Sequence, residues 1–333
     1  MRVVVTGASA GIGRATAAEF ARRGARVALL ARGEAGLAGA SREVASRGGT
    51  PLPIVCDVAD AAQLDAAAQR VVDAWGGIDV WVNNAMVTEF APFTDMSAAE
   101  FRRVTEVTYL GAVWGTRAAL RHMIPVNRGS IVQVGSALAY RSIPLQSAYC
   151  GAKSALRGFT DSVRSELIHA RSRVHVTFMI LSAFNTPQFD WARTTLGRRL
   201  RPVGKVFQPE VAARAIVWAA RRRRREVRVG WPAVQAVVGT RLVPGFLDRM
   251  LATKAWHGQF TDEPLPPGRH DNLEQPVPAD PGAHGRFDAQ AHSTSWEVAA
   301  TRHPALLSLA LLAGAALLFN WRNRWQRRSA TFF

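Results

Sequence analysis

An unbroken apolar triplet, Val3-Val4-Val5, runs into Thr6-Gly7-Ala8-Ser9-Ala10-Gly11-Ile12-Gly13. Apolar residues then recur at Ala15, Ala18 and Phe20-Ala21, before Arg22-Arg23 and Gly24. The first pattern predicts a buried strand and the second a helix, joined by a glycine-rich turn. A second strand is expected over Arg26–Ala31, ending at Arg32. Downstream, the apolar stretch Val211–Ala220 reads as a helix and Val227-Arg228-Val229 as a strand. From Ala233 to Ala252, apolar positions at Val234, Val237, Val238, Leu242, Phe246, Leu247, Met250 and Leu251 are interrupted by Pro244-Gly245. That predicts two short amphipathic helices, able to cover a substrate cleft or to rest on a membrane surface. Thr261–Ser295, with its prolines and polar residues, reads as an extended loop with no compact core of its own.

A last pattern differs in kind. Pro304–Trp321 carries no charge and is rich in leucine. As a helix it would reach about 27 Å, just enough for a bilayer core of ~30 Å. Trp321 and Trp325 stand where interfacial aromatics would, followed by Arg322, Arg324, Arg327 and Arg328. A membrane helix is expected, with a core or oligomer helix as the alternative; a tail anchor and a shallow re-entrant helix both fit. The chain thus divides into a strand-and-helix domain over 1–230, an amphipathic helical segment over 231–260, a Pro-rich polar loop over 261–300, and a candidate membrane helix with a basic tail over 301–333.

The strand, glycine turn and helix at the start have a chemical reading. Free amides at a helix N-terminus bind a pyrophosphate, and glycine permits positive φ and close approach of backbone to phosphate. Dinucleotide sites for the unphosphorylated ribose usually place an acidic residue at the end of the second strand. Here Ala31 and Arg32 stand in that place, so a cation faces the ribose and NADP is favoured over NAD. Later, Tyr149 and Lys153 are four residues apart, which puts them on one face of a helix, and Ser136 precedes the tyrosine. A nearby cation stabilises a phenolate and lowers its pKa, so such a tyrosine can move a proton to or from a carbonyl or alcohol oxygen. A serine hydroxyl can hold that oxygen in place. Two readings of the pair remain, an active site and a helix-surface pair without chemistry.

As an ordered set, Thr6-Gly-x-x-x-Gly-x-Gly13, Asp57, Asn83-Asn84-Ala85, Ser136 and Tyr149-x-x-x-Lys153 resemble the classical short-chain dehydrogenase/reductase family over about residues 1–230. The resemblance implies a doubly wound α/β domain with a mainly parallel sheet of seven strands. It implies that Tyr149 is the acid/base, that Lys153 binds the nicotinamide ribose and depresses the tyrosine pKa, and that Ser136 orients the substrate oxygen. Thr6, Gly7, Ser9, Ala10, Gly11, Ile12 and Gly13 would form the phosphate turn. Asp57 and Val58 would contact the adenine, Asn83 would brace the central strand near the ribose, and Ala85 would lie against the cofactor. Three departures stand out: Met86 replaces a glycine, Thr108 occupies the place of a catalytic asparagine, and Leu181-Ser182 replaces Pro-Gly. A threonine hydroxyl can still hold the water of a proton relay, with shorter reach. Asn185-Thr186-Pro187 recovers the pattern, which makes Thr186 the expected contact of the nicotinamide amide.

Composition narrows the partners. The net charge of +17 invites a nucleic-acid reading, but the cations are mostly arginines spread through helices, without a nucleic-acid-binding motif. No nucleic-acid partner is expected. The dense run Arg221–Arg225 reads as a solvated helix end or as a contact for anionic lipid. Cys56 and Cys150 are too few for a disulfide framework, and His270, His284 and His292 lack metal-ligand spacing, so no metal is expected. No secretory leader precedes the first strand, and a cytoplasmic catalytic domain is expected. A homo-oligomer is expected as well. Met86, Val87, Phe90, Phe93, Tyr140, Leu145, Phe184, Phe189 and Trp191 are expected to rim the cleft, and about half of them to be core. They point to an apolar substrate. The function expected is oxidation of an alcohol or reduction of a ketone or aldehyde; a membrane-tethered NADP-binding module without turnover is the competing class.

Overall fold

The computed structural model describes residues 1–302. Seven strands form one sheet: β1 Arg2–Thr6, β2 Arg26–Ala31, β3 Thr50–Val55, β4 Val80–Asn83, β5 Ser130–Val134, β6 His175–Leu181 and β7 Glu226–Val229. Their order is β7-β6-β5-β4-β1-β2-β3 and every pairing is parallel, as the doubly wound expectation requires. Strands covered on both faces need continuous apolar runs rather than alternation, and Val3, Val4, Val5, Val27, Leu29 and Leu30 are all buried.

Helices cover both faces. On one side α1 (Gly11–Ala21) packs against α2 (Glu34–Ser46), and also against α8 (Pro209–Ala220) through small side chains. On the other side lie α3 (Ala61–Trp75), α4 (Ala98–Thr105), α5 (Gly111–Met123) and α6 (Ser147–His169). Local chemistry fixes their ends. Asp60 caps α3 by accepting from the amides of Ala62 and Gln63, and Gly76 ends it at φ 77°. Ser97 and Glu100 form a reciprocal capping box at α4. Between α4 and α5 a π-helical turn, Glu106–Leu110, carries Thr108.

Strand order reverses at β1, which has β2 on one side and β4 on the other. In such sheets the crevice beyond the carboxyl ends of the strands at the reversal is where a ligand fits. A four-residue helix α7 (Gln188–Trp191), the helices α9 (Trp231–Leu242) and α10 (Pro244–Gly258), and short strand pairs wall off one end of that crevice. Two helices thus occupy the stretch where a pair was expected. Leu247, Met250 and Leu251 line the cleft, while Leu242 and Phe246 are exposed.

The break expected after residue 230 does not separate compact units, because Met1–Ser295 form one. Thr261–Ser295 does have little regular structure, but it is fixed to the domain along its length. Asn272 donates to the carbonyl of Trp191, Gly285 to that of Asn185, and His292 to that of Val206. Leu273, an isolated apolar residue in this polar stretch, is fully buried. The short helix α11 (Trp296–Arg302) belongs to the second unit. The candidate membrane segment Pro304–Trp321 lies outside the described residues. Among the described residues, no helix is long and apolar enough to cross a membrane. The arginine run after α8 turns back on its own domain: Arg223 donates to the carbonyl of Arg173, Arg224 lies over the Trp218 ring, and Arg225 pairs with Asp161.

Candidate active site

The glycine turn is built for close approach. Gly7 and Gly11 adopt φ of 65° and 53°, where a side chain is strained. Gly13 is excluded from carrying one by packing, since a Cβ there would stand 2.2 Å from the Gly7 carbonyl oxygen. Ala10 caps α1 in extended conformation and offers no side chain to the first amides. Those amides and the helix dipole face the crevice, the arrangement that receives a pyrophosphate.

Thr6 and Asn84 hold the turn from beneath. The Thr6 hydroxyl accepts from the amides of Asn84 and Ala85, and the Asn84 amide donates to the carbonyls of Thr6 and Gly7. Asn83 is buried in a network with Trp81, Thr116, Gln133 and the Ala112 carbonyl, so it braces β4. Thr6, Gly13 and Asn83 shape the site without lining it. Gly7, Ser9, Ala10, Gly11 and Ile12 line the cavity itself, as do Arg32, Asp57, Val58, Ala85 and Thr186.

The same cavity, about 690 Å³, reaches Ser136, Tyr149 and Lys153. Ser136 follows β5, and its hydroxyl accepts from the Leu138 amide at 3.1 Å. Tyr149 stands in the first turn of α6, whose N-cap Gln146 is held by Gln259 at 2.7 Å. Lys153, one turn on, is buried; its ammonium lies 5.6 Å from the Tyr149 ring centre and donates to the Val134 carbonyl at 2.7 Å. Burial lowers its pKa to about 8. The Tyr149 phenol opens onto the cleft at its edge but is surrounded deeply enough for desolvation to raise its pKa, against the opposing pull of the Ser136 hydroxyl. A phenol so placed keeps its proton at neutral pH and is set to donate it.

Thr108 is placed elsewhere. Its hydroxyl donates to the Val87 carbonyl at 2.8 Å and accepts from the Val87 amide at 3.1 Å, and it does not line the cavity. Both bonds fasten the segment after β4, which carries Met86 and Val87 into the cleft wall. The Leu181-Ser182 departure also has a physical account. Ser182 donates to the Val229 carbonyl and accepts from the Ala233 amide, tying β7 to the start of α9. Gly230, at φ 89°, leaves room for that hydroxyl, since a Cβ would stand 2.5 Å from it.

Of the expected cleft residues, Met86, Val87, Phe90, Phe184, Phe189 and Trp191 line the cavity. Phe93 is exposed, Leu145 is buried away from it, and the Tyr140 hydroxyl donates to Glu226 at 2.6 Å. Pattern reading gave no site role to Asn84, Gln146 or the segment from Asn272 to Pro281, all of which supply cavity-lining residues. For the last, a lone apolar Leu273 amid proline and charge was the available signal.

At the ribose end, Arg32 donates to three backbone carbonyls, those of Asn272, Leu273 and Glu274. Burial and then the neighbouring Arg103 charge push its pKa down. The Asp57 and Glu274 carboxylates oppose that shift, so the guanidinium sits in a mixed field of charges at this end of the cavity. The glycine turn, the N-terminus of α1 and this cation fit a dinucleotide.

A nucleotide crevice joined to a serine, a tyrosine and a lysine in one cavity defines an oxidoreductase with a nicotinamide cofactor, acting on CH–OH groups. The chain belongs to the short-chain dehydrogenase family, whose model matches residues 1–196. It is similar to an uncharacterized oxidoreductase, YxnA, of Bacillus subtilis (strain 168), at 31% identity over 94% of this chain and 88% of that protein. The probable oxidoreductase EphD of Mycobacterium tuberculosis (strain ATCC 25618 / H37Rv) is 35% identical over 73% of this chain and 43% of its own length. This chain thus spans less than half of that relative. Among solved structures, an alcohol dehydrogenase from the archaeon Thermococcus sibiricus, complexed with 5-hydroxy-NADP, superposes with a TM-score of 0.60 at 25% identity. That match covers 68% of this chain and 95% of the other.

Proposed function

We propose that this protein is an NADP-dependent reductase or dehydrogenase of an apolar alcohol–carbonyl pair, with Tyr149 moving the proton. The observation that carries this reading is the single cavity shared by the glycine turn, Arg32 and the Ser136–Tyr149–Lys153 group. When bound, the nicotinamide exchanges hydride with the substrate carbon. Ser136 and Tyr149 hydrogen-bond the substrate oxygen, and the Tyr149 hydroxyl delivers its proton as negative charge develops there. Lys153 supports the phenolate left behind by its charge. Arg32 takes the 2′-phosphate, because a charge-assisted contact relieves a desolvated cation. Phe90, Phe184, Phe189 and Trp191, opposite Leu247, Met250 and Leu251, make the substrate end apolar. Membrane anchoring through Pro304–Trp321 is proposed from the sequence alone.

The test is turnover. Purified protein with NADPH and ketones or aldehydes of increasing apolar size is expected to oxidise the cofactor, followed by nicotinamide absorbance. Tyr149→Phe should lower the rate at least ~100-fold and leave NADPH binding nearly unchanged, because the ring stays and only the proton donor goes. Equal rates for variant and parent would remove Tyr149 from the chemistry. Equal affinity for NADH and NADPH would remove the 2′-phosphate role of Arg32.

A further inference from the structure

We propose that Asn272–Gly282 is an integral wall of the dinucleotide site, a strap whose lifting limits how fast the cofactor exchanges at each turnover, with Arg32 shared between the strap and the 2′-phosphate. The second clause rests on the NADP reading above; the strap itself does not.

The strap follows the nucleotide groove from the ribose end to the phosphate turn. At the first, Arg32 gathers the carbonyls of residues 272–274, at 2.5 Å for Asn272 and 2.7 Å for Glu274. Arg103 adds a bond to the Leu273 carbonyl at 3.1 Å while pairing with Asp57 at 2.6 Å. The Leu273 side chain is fully buried in the main core, which pins this end apolarly as well. At the other end, Asp280 pairs with Arg14, a residue of α1 just past the glycine turn, and the Gly282 carbonyl accepts from the Gly11 amide at 3.1 Å. Between the anchors, Pro276, Val277, Ala279 and Pro281 face the same cavity as the glycine turn. That cavity measures about 690 Å³ with its substrate end included, so the segment roofs part of the groove without filling it.

Two features suit this role. Pro276, Pro278 and Pro281 restrict the free chain, so ordering it across the groove costs less conformational entropy than an ordinary loop would. Arg32 has five N–H donors, and its bonds to the strap come from Nη1 and Nη2 only. Nε–H is free of them to meet a phosphate oxygen, and an anion there also offsets the mutual repulsion of Arg32 and Arg103. A phosphate at this point thus steadies the guanidinium that holds the strap. A dinucleotide beneath it exchanges only as the strap lifts.

A staple tests this directly. A Cβ at Gly33 would lie 3.2 Å from the Cβ of Pro276, within a small adjustment of disulfide geometry, and Gly33 has an ordinary extended φ of −90°. The full chain carrying Gly33→Cys and Pro276→Cys is loaded with NADPH while reduced, then oxidised, and NADPH release is followed by its fluorescence against excess NADP. The oxidised protein is expected to release NADPH at least about tenfold more slowly than its own reduced form, and dithiothreitol should restore the rate. In a second variant, Asp280→Ala should speed release at least about threefold, with Asp280→Glu closer to the parent. Equal release from stapled and reduced protein, or failure of the two cysteines to join under oxidant, would overturn the proposal. So would an Asp280→Ala protein that releases at the parent rate. Should the parent prefer NADH, the NADP reading fails, but the same staple measured with NADH still decides the strap.

Discussion

Lys153 carries a charge into a buried place where the Val134 carbonyl is its hydrogen-bond partner, and burial brings its pKa to about 8. Support for a phenolate needs the charged form. We expect kcat/KM for carbonyl reduction to fall as pH rises through about 8, a limb that reports the free enzyme. A pH–rate profile flat from 7 to about 9 would show that the lysine charge is not required. Glu89 titrates in a different sense. It is 1% exposed, neither carboxylate oxygen has a hydrogen-bond partner among the described residues, and burial, then Glu100, raises its pKa from 4.5 to about 7, with Arg193 opposing and Asp271 adding. A carboxyl whose folded pKa is raised contributes stability that is complete below its unfolded value and is lost as pH rises through the folded one. Stability should therefore decline between about pH 4.5 and 7, and Glu89→Gln should flatten that part of a plot of Tm against pH. Thr108 makes a third case. Thr108→Val leaves the amide and carbonyl of buried Val87 without their partner, at a cost of about 1–3 kcal/mol in denaturant unfolding, and Thr108→Ser should retain most of it. An unchanged midpoint for the valine variant would mean those groups find another partner.

The elements that position the chemistry were the legible ones, for local reasons. Val3–Val5 needed no partner to be read as buried, the glycines after them are set by φ and close packing, and the Tyr149–Lys153 spacing is a property of one helix. Gly13 shows how tight that unit is. Gly13→Ala would place a methyl 2.2 Å from the Gly7 oxygen and 2.5 Å from Asn84 Nδ2, so α1 must shift outward. We expect NADPH binding to weaken at least ~10-fold by fluorescence titration, since a shifted turn no longer aims its amides; an unaltered Kd would show that the turn can yield. What stayed illegible depends on distant partners. Thr108 read as a relay residue because its position matched one, whereas its hydroxyl is spent on the segment after β4, 21 positions earlier. The pattern of α9 and α10 fitted a cleft as well as a membrane surface, with packing on the protein the commoner outcome, since an apolar stripe does not name what it faces. Asn272–Gly282 has no period at all, and most of the bonds that hold it use its own backbone carbonyls, which side-chain chemistry does not reveal.

At the scale of the molecule, residues 1–295 stand as one compact unit, and the nucleotide crevice lies wholly within it. A chain ending after Ser295 should therefore fold and bind NADPH. The full chain is expected to sediment with membranes, because Pro304–Trp321 has the leucine content for transfer and no charge to oppose it. Recovery of the full chain in a high-speed supernatant without detergent would assign that segment to another role. The tail's position in the chain also has a consequence for biosynthesis. The seven-stranded sheet is complete by Val229, and Asn272 follows only about forty residues later. At ~5–20 residues per second of translation, the nucleotide crevice exists without its roof for a time on the order of seconds. If the strap slows both release and uptake, the nascent chain, still uncovered, is the form whose crevice a dinucleotide can enter without the strap having to lift.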